Sequence, residues 1–145
     1  MSTTLADYLA LHDGSQLLKT RGGTRSLFLR FQLPKDFISD QADRKPVLTY
    51  RARVPGKDTR LNVYVNPEQT ESTSSGFPVT SELSLNLSEG YFGQFVSVVS
   101  GSRFKKGQEN KIVFTISGDG TKFGDIEVGE VALFYQRLIE GLKPG

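Results

Sequence analysis

Apolar side chains recur at every second position in one stretch after another of this chain. From Ser26, Leu27, Leu29, Phe31 and Leu33 alternate with Phe28, Arg30 and Gln32, and Val47 to Val54 sets Leu48, Tyr50, Ala52 and Val54 against Val47, Thr49, Arg51 and Arg53. The same rhythm sets Leu61, Val63 and Val65 against Arg60, Asn62 and Tyr64, Leu83, Leu85 and Leu87 against Ser84, Asn86 and Ser88, and Ile112, Phe114 and Ile116 against Lys111, Val113 and Thr115. Successive side chains of a strand point to opposite faces, so a period of two describes strands with one face in a core and one in water. Gln94 to Val99 is apolar on both faces and predicts a central strand; Ile126 to Tyr135 predicts the last long strand. Roughly seven or eight such runs at this spacing predict a two-layer sandwich or a barrel.

Turn residues punctuate the strands. Pro55-Gly56-Lys57-Asp58 presets one dihedral with proline and accepts a positive one with glycine, which predicts an antiparallel hairpin joining Val47–Val54 to Arg60–Val65. Residues 35–46 predict a long loop with a helical turn around Phe37 and Ile38, and residues 66–81 a long surface excursion. The opening differs: Leu5, Tyr8, Leu9 and His12 fall at helical spacings behind a Thr3 or Thr4 cap, so a short N-terminal helix is expected, stopped at Asp13-Gly14. An edge strand is expected over Gln16–Thr20, and a helical turn ended by Gly141 in the tail.

The 145 residues suit one domain, 1–145, able to bury a core without staples. With no cysteine there is no disulfide, thiolate chemistry or zinc–cysteine site, and the single histidine, His12, rules out a multi-histidine metal site within the chain. Lys and Arg number 18 against 16 Asp and Glu, too even a balance for a dedicated nucleic-acid binder. No apolar run approaches the roughly 18 residues of a membrane span. The first residues lack the basic start and apolar core of a secretory signal, so a cytoplasmic location is expected.

Two segments, Phe104-Lys105-Lys106-Gly107-Gln108-Glu109-Asn110-Lys111-Ile112-Val113-Phe114 and Gly124-Asp125-Ile126-Glu127-Val128-Gly129-Glu130-Val131-Ala132-Leu133-Phe134-Tyr135, resemble the closing half of galactose-binding-like jelly rolls, and Val47–Asn66 resembles their central strands. The resemblance implies an all-β, antiparallel jelly-roll β-sandwich, here expected with the short N-terminal helix. Domains of that type serve as carbohydrate-binding modules, adhesion domains, enzyme accessory domains and subunits without a ligand, so function must come from a site. They often carry a structural calcium, for which Asp36, Asp40 and Asp43 are the nearest oxygen donors, but no metal or other cofactor is expected. This chain lacks the tryptophan that would favour sugar stacking.

No nucleophile elbow accompanies His12, and the carboxylates cluster in loops, so no enzyme is expected; a hydrolase using Asp40 or Asp43 ranks last. Arg21-Gly22-Gly23-Thr24-Arg25 has the donors for an anion but not the Walker spacing. The outward phase of the strands collects Arg30, Gln32, Thr49, Arg51, Arg53, Asn62, Tyr64, Ser84 and Asn86. If those strands are neighbours, Tyr64 would stack on a glycan, Arg51, Arg53 and Arg30 would hold charged or hydroxyl groups, and Asn62 and Asn86 would add neutral donors and acceptors. A non-catalytic module for a carbohydrate or other polar ligand is therefore the expected function, and an ordinary solvated sheet is the bland counterpart. Outward Phe28, Val96, Val98 and Val113 support the alternative of a structural or assembly subunit that self-associates or docks on a larger complex.

Overall fold

The computed structural model describes residues 2–19, 25–38, 45–54, 59–67, 83–87, 90–117 and 124–140. Its strands are β1 (Ser2–Leu18), β2 (Ser26–Gln32), β3 (Val47–Arg53), β4 (Thr59–Val65), β5 (Leu83–Leu87), β6 (Phe92–Val98), β7 (Glu109–Ser117) and β8 (Ile126–Glu140). They form two four-stranded antiparallel sheets, a first of order β1-β8-β3-β6 and a second of order β2-β7-β4-β5. The pairs β1 with β8, β2 with β7, β3 with β6 and β4 with β5 are nested, as in one long hairpin rolled over itself, which is the wiring of a jelly roll. No helix among the described residues is long and apolar enough to cross a membrane.

Alternation places the core as expected. Leu27, Leu29 and Leu33 from β2 and its end, Leu48, Tyr50 and Ala52 from β3, Leu61, Val63 and Val65 from β4, and Ile112, Phe114 and Ile116 from β7 are buried between the sheets. Tyr50 of the first sheet ties the layers together, stacking on Phe95 at 5.2 Å and meeting Phe114 of the second sheet edge-on at 5.1 Å. Burial drives its phenol up to about 12, Ser97 pulling it the other way by less. Among the described residues no group hydrogen-bonds the Tyr50 hydroxyl with good geometry.

Four local expectations are corrected. Residues 2–18 form an edge strand, not a helix followed by a separate strand: Leu9 and Leu11 pack on the core, Tyr8 and Ala10 face out, and β8 offers a full ladder of backbone partners from Ser2 opposite Glu140 to Leu18 opposite Ile126. Leu5, Tyr8, Leu9 and His12 satisfy helical spacing as well, and tertiary pairing decides between the two. The hairpin expected across residues 55–58 does not exist, because β3 pairs with β6 and β8 while β4 pairs with β5 and β7, in the other sheet. The two strands alternate correctly, but alternation does not state which neighbour a strand takes. β6 is an edge rather than a central strand, and its outward Val96 and Val98 are exposed. The tail is strand as far as Glu140.

Residues 36–38 dock on this extension of β8. Ile38 N–H donates to the Gln136 carbonyl at 2.9 Å and Leu138 N–H to the Asp36 carbonyl at 2.8 Å, while Phe37 is buried against Phe104 and Tyr135. In the described part of the 35–46 connection, Lys35 and Asp36 form a turn and Phe37 makes an isolated antiparallel bridge to Arg137. Residues 39–44, 55–58 and 68–82 lie outside the described residues, and with them the rest of the expected excursions.

β1 reaches its full length only by bulging. Register shifts fall between Ala10 and His12 and between His12 and Ser15, where Gly14 takes φ +78°, a conformation that suits glycine. Opposite the bulge, a Cβ on Gly129 would strike the Gly14 carbonyl oxygen and lie 2.8 Å from Ser15 Cα. Gly129→Ala is expected to lower stability by about 1–3 kcal/mol, read from denaturant unfolding, because backbone rather than a flexible side chain must yield. Tyr50→Phe is expected to leave stability unchanged or raise it by about 1 kcal/mol in the same measurement, since it keeps the aromatic contacts and removes an unsatisfied hydroxyl.

Candidate functional site

The nested pairing divides the outward polar residues between two opposite faces. Arg30, Asn62, Tyr64 and Asn86 belong to the second sheet; Arg51 and Arg53 belong to the first. The expectation that all six line one surface is therefore corrected, for the same reason as the hairpin: β3 and β4 are in different layers.

On the second sheet, Arg30 stands directly opposite Lys111 and Phe28 opposite Val113, which in turn faces Tyr64. Asn62 lies between Thr115 and Ser84 in the ladder, and Arg60 Nε donates to Asn86 Oδ1 at 3.0 Å. Val113, Thr115 and Asn62 are buried, whereas Phe28, Arg30 and Asn86 are exposed. Tyr64 is half-buried, and burial raises the pKa of its phenol against a weaker opposing effect of a hydrogen bond with Thr115. Lys111 Nζ sits 5.7 Å from the centre of the Phe28 ring, a cation on an aromatic face.

This face runs into a cleft of about 530 Å³ bounded by Arg30, Val65–Pro67, Ser102, Arg103, Lys105 and Glu109–Lys111. Its floor is held by two asparagines. Asn66 has φ +46°, a left-handed conformation that asparagine tolerates, and its Nδ2 donates to Arg103 O at 2.8 Å and to Asn110 Oδ1 at 2.9 Å. Asn66 Oδ1 accepts from Lys111 N–H at 2.8 Å, and buried Asn110 accepts from Lys105 N–H at 2.7 Å while donating to the Lys105 and Gln108 carbonyls. The reversal between these contacts passes through Gly107 at φ +64°. The cleft is thus lined by Arg30, Arg103, Lys105 and Lys111 with Glu109 as the carboxylate among its described lining residues, on a fixed backbone.

The first sheet's arginines are in a different electrostatic setting. Arg51 lies 3.3 Å from Glu130 Oε2 with its guanidinium 5.0 Å from the Phe92 ring centre, and Arg53 stands opposite Glu127. These two arginines and two glutamates line a cavity of about 190 Å³ beside the bulge at Gly129 and Glu130, the latter at φ +48°. Positive and negative charge balance there.

Among the remaining candidates, His12 is half-buried within β1. Asp36 is engaged by Arg137 through Nε at 2.7 Å and Nη2 at 3.1 Å, a bond that holds its carboxyl below the usual range and anchors Phe37 to β8. Asp40, Asp43 and residues 21–24 lie outside the described residues. The outward apolar residues also separate, Phe28 and Val113 to the second sheet and Val96 and Val98 to the first. Sequence reasoning missed Lys111, Lys105, Arg103 and the Asn66–Asn110 floor. A signal was present, since Lys111 shares the outward phase of β7 and Arg103, Lys105 and Lys106 crowd one turn, but pairing of β2 with β7 is needed to bring Arg30 there.

No protein family matches the sequence, and no curated protein does either. Solved structures similar to the chain include the K3 adhesin domain of Lys-gingipain from Porphyromonas gingivalis, at 16% identity and TM-score 0.46, covering 73% of this chain and 62% of that one. The chain therefore spans about three fifths of that adhesin domain. It is also similar to the C-terminal CBM6 of a laminarinase from Zobellia galactanivorans, at 8% identity and TM-score 0.44 over 90% and 99% of the two chains. A third is a CBM36 carbohydrate-binding module solved with calcium and xylotriose, at 12% identity and TM-score 0.39 over 92% and 98%.

Proposed function

We infer that the protein is a non-catalytic recognition module whose second sheet and adjoining cleft bind an acidic saccharide, one bearing carboxylate or sulfate groups. The observation that carries this reading is the direct cross-strand pairing of Arg30 with Lys111, at the mouth of a cleft that Arg103 and Lys105 also line. Like charges facing each other across a ladder destabilise a sheet, and a bound anion removes the repulsion. Arg30 would take the acid group with a planar fork and Lys111 as a point charge, while the exposed Phe28 ring beside them offers an apolar platform to a sugar face. Asn86, with Arg60 fixed against it, and Tyr64 extend the polar surface along β4 and β5. Arg51 and Arg53 take no part in this reading.

Titration calorimetry with short uronate-containing or sulfated oligosaccharides tests it. Binding is expected to weaken as salt rises, to fall roughly 10- to 100-fold in Arg30→Ala and in Lys111→Ala, and to hold within about twofold in Arg53→Ala. Absence of binding to every acidic oligosaccharide, or a loss in Arg53→Ala equal to that in Arg30→Ala, would overturn it.

A further inference from the structure

We propose that the outer face of the first sheet is the interface of a symmetric homodimer, independent of any ligand on the second sheet. Six of its large apolar residues are uncovered: Val96 is 69% exposed, Phe92 64%, Val98 61%, Tyr8 60%, Phe134 45% and Leu138 36%. Together they present on the order of 600 Å² of apolar surface, at the upper end of what monomers expose and close to the ~800 Å² each partner gives a standard interface. The register makes much of it continuous. Tyr8, Phe134, Val47 and Val98 form one row across all four strands, with Tyr8 stacked on Phe134 at 5.6 Å, and Ala10, Ala132, Thr49 and Val96 form the next.

Charge identifies the occupant as a second copy. On the two central strands, β3 carries Arg51 and Arg53 and β8 carries Glu130 and Glu127, at matching heights in the ladder. A two-fold axis lying in the interface, along the strands and between β3 and β8, preserves height and exchanges the two strands. Each copy's Arg53 then stands over the other's Glu127, twice over, as an isologous interface requires. The same operation lays β1 over β6, Tyr8 over Val98 and Leu17 over Phe92, so at each of these heights an aromatic ring of one copy meets an aliphatic side chain of the other. A partner of strong net charge of either sign would meet two charges of its own sign on this face. The two second sheets, with their clefts, would point outward in opposite directions.

Light scattering on the full chain, with circular dichroism as the check of folding, tests the proposal. The wild type is expected at twice the 16.0 kDa of one chain, and Val98→Lys at that of one chain. Arg53→Glu and Glu127→Arg each place like charges across the axis and are expected to fall to single-chain mass. Mixing these two variants restores both contacts between copies, though neither variant repairs its own chain, so the mixture is expected to return to double mass. A wild type that stays at single-chain mass, a Val98→Lys variant that stays at double mass, or a mixture that remains at single-chain mass would each overturn the proposal.

Discussion

Closure of the first strand on the last holds this fold together. β1 and β8 run beside each other over almost their whole lengths, from Ser2 opposite Glu140 to Leu18 opposite Ile126, so the two ends of the described chain are tied to each other. The arrangement is dominated by contacts far apart along the chain, a topology in which loop-closure entropy must be met before most of the core is buried, and folding is expected to be correspondingly slow.

Rolling a hairpin over itself also decides where chemistry can sit. Every step along the chain except that from β4 to β5 crosses between layers, so residues close in sequence and identical in phase end up on opposite sides of the sandwich. Arg51 and Arg53 go to one surface, where Glu130 and Glu127 balance them and exposed valines and aromatics surround them. Arg30 goes to the other, where Lys111 faces it and the Asn66–Asn110 pair fixes the adjoining backbone. One face is neutral and apolar, with the character of a protein contact; the other is positive and polar, with the character of a ligand contact. Tyr50, packed on both Phe95 and Phe114, lies between them and couples the layers mechanically.

Much of this was legible in the residues, and what was not has a definite cause. A period of two in Leu27, Leu29, Phe31 and Leu33, or in Ile112, Phe114 and Ile116, specifies strand and inward face because burial acts on each side chain separately. Partner choice is a property of the whole sheet. Pro55-Gly56-Lys57-Asp58 is turn chemistry whether the chain reverses within a layer or crosses to the other, so it could not distinguish a hairpin from a crossover. In β1, Leu5 and Leu9 satisfy two periods at once, and only the backbone donors and acceptors of β8 break the tie. β6 looked central because it is apolar on both faces; it is an edge whose second apolar face lacks cover within the described chain. Asn110 bonds backbone on both sides of the reversal at Gly107, but its part in building a cleft requires Asn66, just after β4, to arrive beside it.

The assignment of β3 and β4 to separate layers underlies both surfaces, and backbone cross-strand nuclear Overhauser effects test it most directly. Separate layers predict a ladder linking Val47–Arg53 to β8 and β6, with Ala52 beside Val128 and Gly93, and a second ladder linking Thr59–Val65 to β7 and β5, with Leu61 beside Ile116 and Leu85. A continuous antiparallel ladder between Val47–Arg53 and Thr59–Val65 would contradict it.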